Sequence, residues 1–283
     1  MSMLTSSAQA EALRLRKWPA LWVLLSAWMI LNLLFLYVFN YITYRTGDPT
    51  GPAESGIPRE AVLAGLLPDA VPAVFTQGMA MFGGAMMLIL GALTIGSGYG
   101  WGTWKTVFTQ GPSRASVFGG TLAMLSVVVV GLVLSVFVVD LSVASIIATM
   151  QSQAIALPPV ADSVRSIGAA VLILGMWMLA GVLIGALARG PALAVGLGLV
   201  WVLVVENLLR GVASVLGPLR PLTDFMPGTA AGSLAGALRT VAGPPPPGVL
   251  TILSPTTAVL TLLGYLVVFA LATGVLLHRR DMA

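Results

Sequence analysis

Two carboxylates stand in or beside otherwise apolar stretches, where an ionisable side chain is a functional candidate by default. Asp140 comes about 22 residues after Phe118 in a run that opens near Val117, which predicts a place near the outer end of a helix. An interfacial end is the expected role there, ahead of a proton relay. Glu206 and the adjacent Asn207 fall about 14 residues into another run, with Arg210 at i+4 on the same helix face. That spacing predicts an intrahelical ion pair at the outer interface, against the alternative of a polar group lining a substrate path. Asp140, Glu206 and Asn207 are therefore the polar residues a route through a membrane would use. Catalysis at depth would need two facing carboxylates, or a Ser with a His base. The single His, His278, closes the last apolar run, and no Ser has a base near it. No Cys occurs, which removes disulfides, thiolate metal sites and Cys nucleophiles, and one His offers no multi-His metal site. No G-x-x-x-x-G-K-[ST] loop occurs either, so the chain lacks that means of cradling ATP.

The elements that must position these residues follow from composition. Of 283 residues, 14 are Lys or Arg and 10 are Asp or Glu, 8% in all, whereas a soluble chain carries about 25%. With 58% hydrophobic residues and 32 Gly, too little polar surface remains to coat a globule in water, which excludes a soluble enzyme and a disordered tail. The basic residues are scattered in ones and twos rather than gathered in a stripe, so nucleic acid is not an expected partner; membrane lipid is. Six apolar runs have the roughly 20 residues that a bilayer core requires: about Ala20 to Thr43, Val71 to Ile95, Val117 to beyond Val139, Ser166 to Ala188, Ala192 to Arg210, and Pro255 to Leu277. They are continuous rather than alternating, which predicts an all-α membrane protein, 1–283 forming one transmembrane domain, and not a barrel. Arg189, Gly190 and Pro191 alone join the fourth and fifth runs, a tight helical hairpin. Ser254 stands as N-cap before Pro255 at the first helical position. Gly181 and Gly185 make a small-xxx-small pair for close helix packing, and Met79, Met81, Met86 and Met87 are soft packing material first and a substrate-accommodating wall second.

An even number of spans puts both termini on one side. Arg14, Arg16, Lys17, Lys105, Arg114, Arg189, Arg279 and Arg280, eight of the 14 cations, then share the cytoplasmic face and hug the helix ends, which predicts N-in, C-in. The segments 1–18 and 97–116 then lie on the cytoplasmic side, the second of them as a loop. In the outer segment 211–250, Gly228, Gly232 and Gly236 recur every fourth residue. They predict a short helix from about Gly228 to Val241, either dipping into the outer leaflet or lying on the surface behind the polyproline stretch Pro244 to Pro247.

The inner loop is the most informative stretch. Trp101, Trp104 and Phe108 fall at i, i+3 and i+7, one face of a short helix, with Thr103, Lys105, Thr106 and Thr109 largely off it, and Gly111-Pro112 stops it. A bare interfacial anchor is the plain alternative, since aromatics favour headgroup level in any case. Gly98-Tyr99-Gly100 after Thr94-Ile95 approaches a potassium-filter order, but Ser97-Gly98 interrupts it and it lies at an inner helix end.

Glu11 to Pro19 (EALRLRKWP), Gly96 to Thr103 (GSGYGWGT) with Thr109 to Arg114 (TQGPSR), and Arg279 to Met282 (RRDM) together resemble the permease subunits of ABC-2 type transporters over nearly the whole chain. The middle motif is the specific one. The resemblance implies an N-terminal helix along the cytoplasmic face and a coupling helix over Trp101 to Gln110 that docks on a separate ATPase subunit. Trp101, Thr103, Trp104, Lys105, Phe108, Gln110 and Arg114 are the implied coupling residues. Many relatives carry an acidic residue where this chain has Gly98, so any charge contact made there is missing. The expected protein is thus a plasma-membrane permease, of bacterial type, for an ATP-driven exporter. It would work as a dimer with a second copy or a similar permease, with two ATPase subunits holding ATP and Mg and no cofactor in this chain. A passive channel, or an intramembrane enzyme using Asp140 with Glu206, are the competing readings.

Overall fold

In a computed structural model, described for residues 3–47, 57–100, 102–109, 111, 113–241 and 243–279, the chain is helical, with no strand among the described residues. Six helices are long and apolar enough to cross a membrane: Pro19–Thr46, Met79–Gly100, Arg114–Met150, Val160–Ala188, Pro191–Val215 and Pro255–Arg279. We number these spans one to six. Even the shortest, of 22 residues, reaches about 33 Å, enough for a hydrocarbon core of about 30 Å.

The second, fourth and fifth spans differ at one end from the hydropathy reading, the fourth by starting at Val160 rather than about Ser166, whereas the third runs beyond Val139 as expected. The second span starts at Met79, not Val71: Val71–Val74 is one separate helical turn, and Met79–Gly83 is a π-turn. The Trp28 ring of span one occupies the break. A Cβ on Gly78 or Gly83 would meet that ring at 3.1 and 3.0 Å, so two glycines make room for one indole. The third span runs on to Met150, because polar Asp140, Ser142 and Ser145 are accommodated within the helix and the serines bond back to Val138 and Leu141 carbonyls. The fifth span holds a π-turn at Val200–Val205 and continues to Val215.

The second span is the hub, with 72% of its apolar window buried against 11% for the sixth. It packs on the fourth span through glycines. A Cβ on Gly91 would overlap the Met178 carbonyl, one on Gly181 would overlap the Leu88 carbonyl, and one on Gly185 would lie 2.8 Å from the Ala92 carbonyl. Lipid tails are as apolar as side chains, so such backbone-to-backbone closeness supplies the association that water would otherwise drive. Gly84 accepts the Trp177 ring, whose Nε1 donates to the Ala80 carbonyl at 3.0 Å.

One end of the bundle gathers the N-terminal helix Met3–Lys17, the loop helix Thr103–Thr109, the hairpin at Arg189 to Pro191 and the end of span six. We call it the proximal end. Arg189 adopts φ 54°, closing the fourth span before Pro191 opens the fifth, and Gly96 lies against Pro191. The N-terminal helix lies on the start of span three, where a Cβ on Gly120 would come within 2.9 Å of the Ala8 nitrogen. At the distal end Tyr44 donates to Gln151 Oε1 at 3.1 Å, and Gln151 Nε2 donates to Tyr41 Oη at 2.9 Å, tying span one to the end of span three.

A distal helix, Pro227–Ala237, is buried against the start of span two and against span six. It begins close to the expected position and stops short of Val241. Its glycine face takes up neighbouring chain: Leu250 N–H donates to the Gly232 carbonyl at 3.0 Å, Leu253 N–H donates to Ser233 Oγ at 3.1 Å, and a Cβ on Gly236 would overlap the Leu250 carbonyl. Ser254 Oγ accepts from Thr257 N–H at 3.2 Å, the expected cap of span six.

Candidate functional site

The loop helix is held from behind. Trp104 is 6% exposed; its Nε1 donates to the Ile95 carbonyl at 3.2 Å, its ring meets Tyr99 edge-on at 6.3 Å, and a Cβ on Gly98 would overlap the indole. Trp104 is therefore turned into the chain's own second span, where the sequence left open that it faced outward. This also accounts for glycine at position 98: an acidic side chain there would collide with the indole. Thr106 and Thr109 are exposed and Thr103 is half-buried. Trp101 and Gln110 lie outside the described residues, and Lys105 and Phe108 are placed on this helix by backbone alone.

Arg114 does not simply point away from the bundle. Its Nη1 donates to the Leu277 and His278 carbonyls at 3.1 and 3.2 Å, at the C-terminus of span six, where a cation meets the negative end of the helix dipole. The start of span three and the end of span six are thereby joined next to the loop helix. On its other side, Arg14 of the N-terminal helix pairs with Glu11 at 2.6 Å, donates to the Thr94 carbonyl of span two at 3.3 Å and lies 5.9 Å from the Trp18 ring centre. Burial raises the Glu11 pKa above its ordinary value, and the Arg14 charge pulls it part of the way back.

Asp140 is fully buried and sits ten residues before the end of its helix at Met150, not at a helix end as its place in the sequence suggested. Asn32 of span one donates to its Oδ1 at 2.7 Å. Among the described residues Asp140 Oδ2 and the buried Tyr37 hydroxyl have no hydrogen-bond partner, and Phe137, one turn earlier, meets Phe75 edge-on at 5.3 Å. Asn32 and Tyr37 escaped the sequence reading, although an Asn inside an apolar run was a signal available there.

Glu206 is also buried, 1% exposed, and it holds the expected i+4 ion pair with Arg210 while taking a second partner from another helix. The Arg210 Nη1 is 4.0 Å away, whereas Thr229 N–H donates to Glu206 Oε1 at 2.8 Å, and a Cβ on Gly228 would come within 2.6 Å of that oxygen. Met226 supplies no side-chain cap to the distal helix. Glu206 caps it from another helix, satisfying free amides at the positive end of the dipole. Arg210 completes the cluster, donating to Asn207 Oδ1 at 2.6 Å and to Thr229 Oγ1 at 3.4 Å. Asp140 and Glu206 thus serve separate clusters: one carboxylate ties spans one and three, the other secures the distal helix. Among the described residues no group of three or more His, Cys, Asp or Glu could hold a metal ion. Compared with protein-family models, curated proteins and solved structures, the chain matches none.

Proposed function

We propose that the chain is the permease subunit of an ATP-driven exporter of the ABC-2 type, working as a dimer in the plasma membrane with separate ATPase subunits that supply ATP and Mg. The observation that carries this reading is the loop helix Thr103–Thr109. It is joined to span two through Trp104, and spans three and six are joined beside it through Arg114. A push on such an element moves several spans as one body, which is what a subunit lacking a phosphate-binding loop of its own needs in order to be driven from outside. The proximal end is the cytoplasmic one in this reading, the N-terminal helix lies at the membrane surface, and the distal helix enters the outer leaflet. Trp104 acts as the lever's anchor, and the exposed Thr106 and Thr109 lie on the partner side.

The test is co-purification with an ATPase subunit, followed by nucleotide turnover and transport in vesicles. Trp104→Ala is expected to keep the complex assembled while lowering transport about tenfold or more, because removing a large buried ring costs a few kcal/mol of local packing. Transport by the chain alone, without nucleotide, would favour a passive channel and reject the proposal.

A further inference from the structure

At the proximal end a cavity of about 170 Å³ is lined by Arg14, Lys17, Trp18, Ser97, Gly98 and Thr103, and nothing in the coupling role calls for it. It lies where span one opens and span two closes, so in a membrane it sits at headgroup level, the depth that interfacial Trp and Lys mark. Ser97 is 7% exposed, and its hydroxyl bonds to no described residue. Arg14 commits Nη2 to Glu11 and Thr94, and among the described residues its Nη1 is left without a hydrogen bond. Lys17 has no carboxylate within ion-pair reach among the described residues. Glu11 offsets Arg14, so Lys17 leaves the site with a surplus positive charge. Two cations and two hydroxyls border a cavity whose accessible wall is otherwise mostly apolar, which suits a phosphate ester with its attached carbons, and its volume is several times the roughly 30 Å³ of a liquid water.

We propose that this cavity is a binding site for a phosphate group, carried by a phospholipid of the adjacent leaflet or by a soluble phosphate, held by Lys17 and Arg14 with Ser97 and Thr103 donating. Occupancy would bridge the N-terminal helix to the loop helix. The site goes beyond the transport reading and stands or falls independently of any ATPase.

The test is native mass spectrometry of the purified full chain with phosphatidylglycerol, with phosphatidylcholine, and with phosphatidylglycerol plus millimolar inorganic phosphate. Phosphatidylglycerol is expected to be retained over phosphatidylcholine. Lys17→Gln should lower its occupancy about fivefold, the worth of one surface cation, and Ser97→Leu should do at least as much by filling the cavity. Arg16→Gln, on the exposed neighbouring face, should change nothing. Displacement by inorganic phosphate assigns the site to a soluble ligand, and failure to displace assigns it to lipid; either supports the phosphate chemistry. Equal loss in Arg16→Gln and Lys17→Gln, or no loss in Lys17→Gln, overturns the proposal. Lys17 is exposed, so its variant stays informative even if Ser97→Leu misfolds.

Discussion

Asp140 and Asn32 show how a buried polar pair differs from a site. Asn32 satisfies one oxygen and leaves the other bare, and the cost of leaving groups unmade exceeds the net worth of making them. Asn32→Leu should therefore destabilise the bundle by about 1–3 kcal/mol, whereas the double variant Asn32→Leu with Asp140→Leu should recover much of that loss. Unfolding in detergent measures both. Recovery of stability together with loss of transport would mark Asp140 as retained for function rather than for the fold. The presence of a carboxylate at 140 and 206 was legible from hydropathy. Their partners were not, because Asn32 is 108 positions from Asp140 and Thr229 is 23 from Glu206, and in each pair the partner stands on a different helix.

Glycine decides where the helices meet. Gly181 and Gly185 were legible as a packing pair, but their partner, span two with Gly91, was not: the motif states that something approaches closely without stating what. The contrast with Gly131, which has open space around its Cβ position, gives a direct test. Gly181→Ala should cost about 1–3 kcal/mol by overpacking a rigid backbone seam, while Gly131→Ala should be neutral or stabilising by up to about 1 kcal/mol through helix propensity. Thermal unfolding midpoints of the two variants decide it, and equal midpoints would show that the seam is not closed as described. The same separation of motif from partner holds for the distal helix. Gly232 and Gly236 recur at membrane-helix spacing, yet the backbone they admit is the turn and following irregular stretch at Gly248 to Leu250.

For the molecule as a whole, orientation is the property on which the proposed coupling turns. The absence of native Cys makes single reporters clean. Thr106→Cys at the proximal end should resist a membrane-impermeant maleimide in intact cells, and Ala161→Cys at the distal end should react; the reverse pattern would put the loop helix outside and remove the coupling role. Six spans, their helical nature and the tight hairpin at Arg189 to Pro191 follow from the sequence by itself, because hydrocarbon leaves an unpaired backbone no alternative to a helix of fixed length and turn residues act locally. Tertiary structure alone decided that Trp104 faces inward, that Arg114 holds the end of span six, and that Glu206 caps a helix as well as pairing with Arg210. The physical reason is common to all three. Each depends on which backbone amide, carbonyl or glycine surface arrives from a different helix, and the periodicity of one helix carries no record of its neighbour.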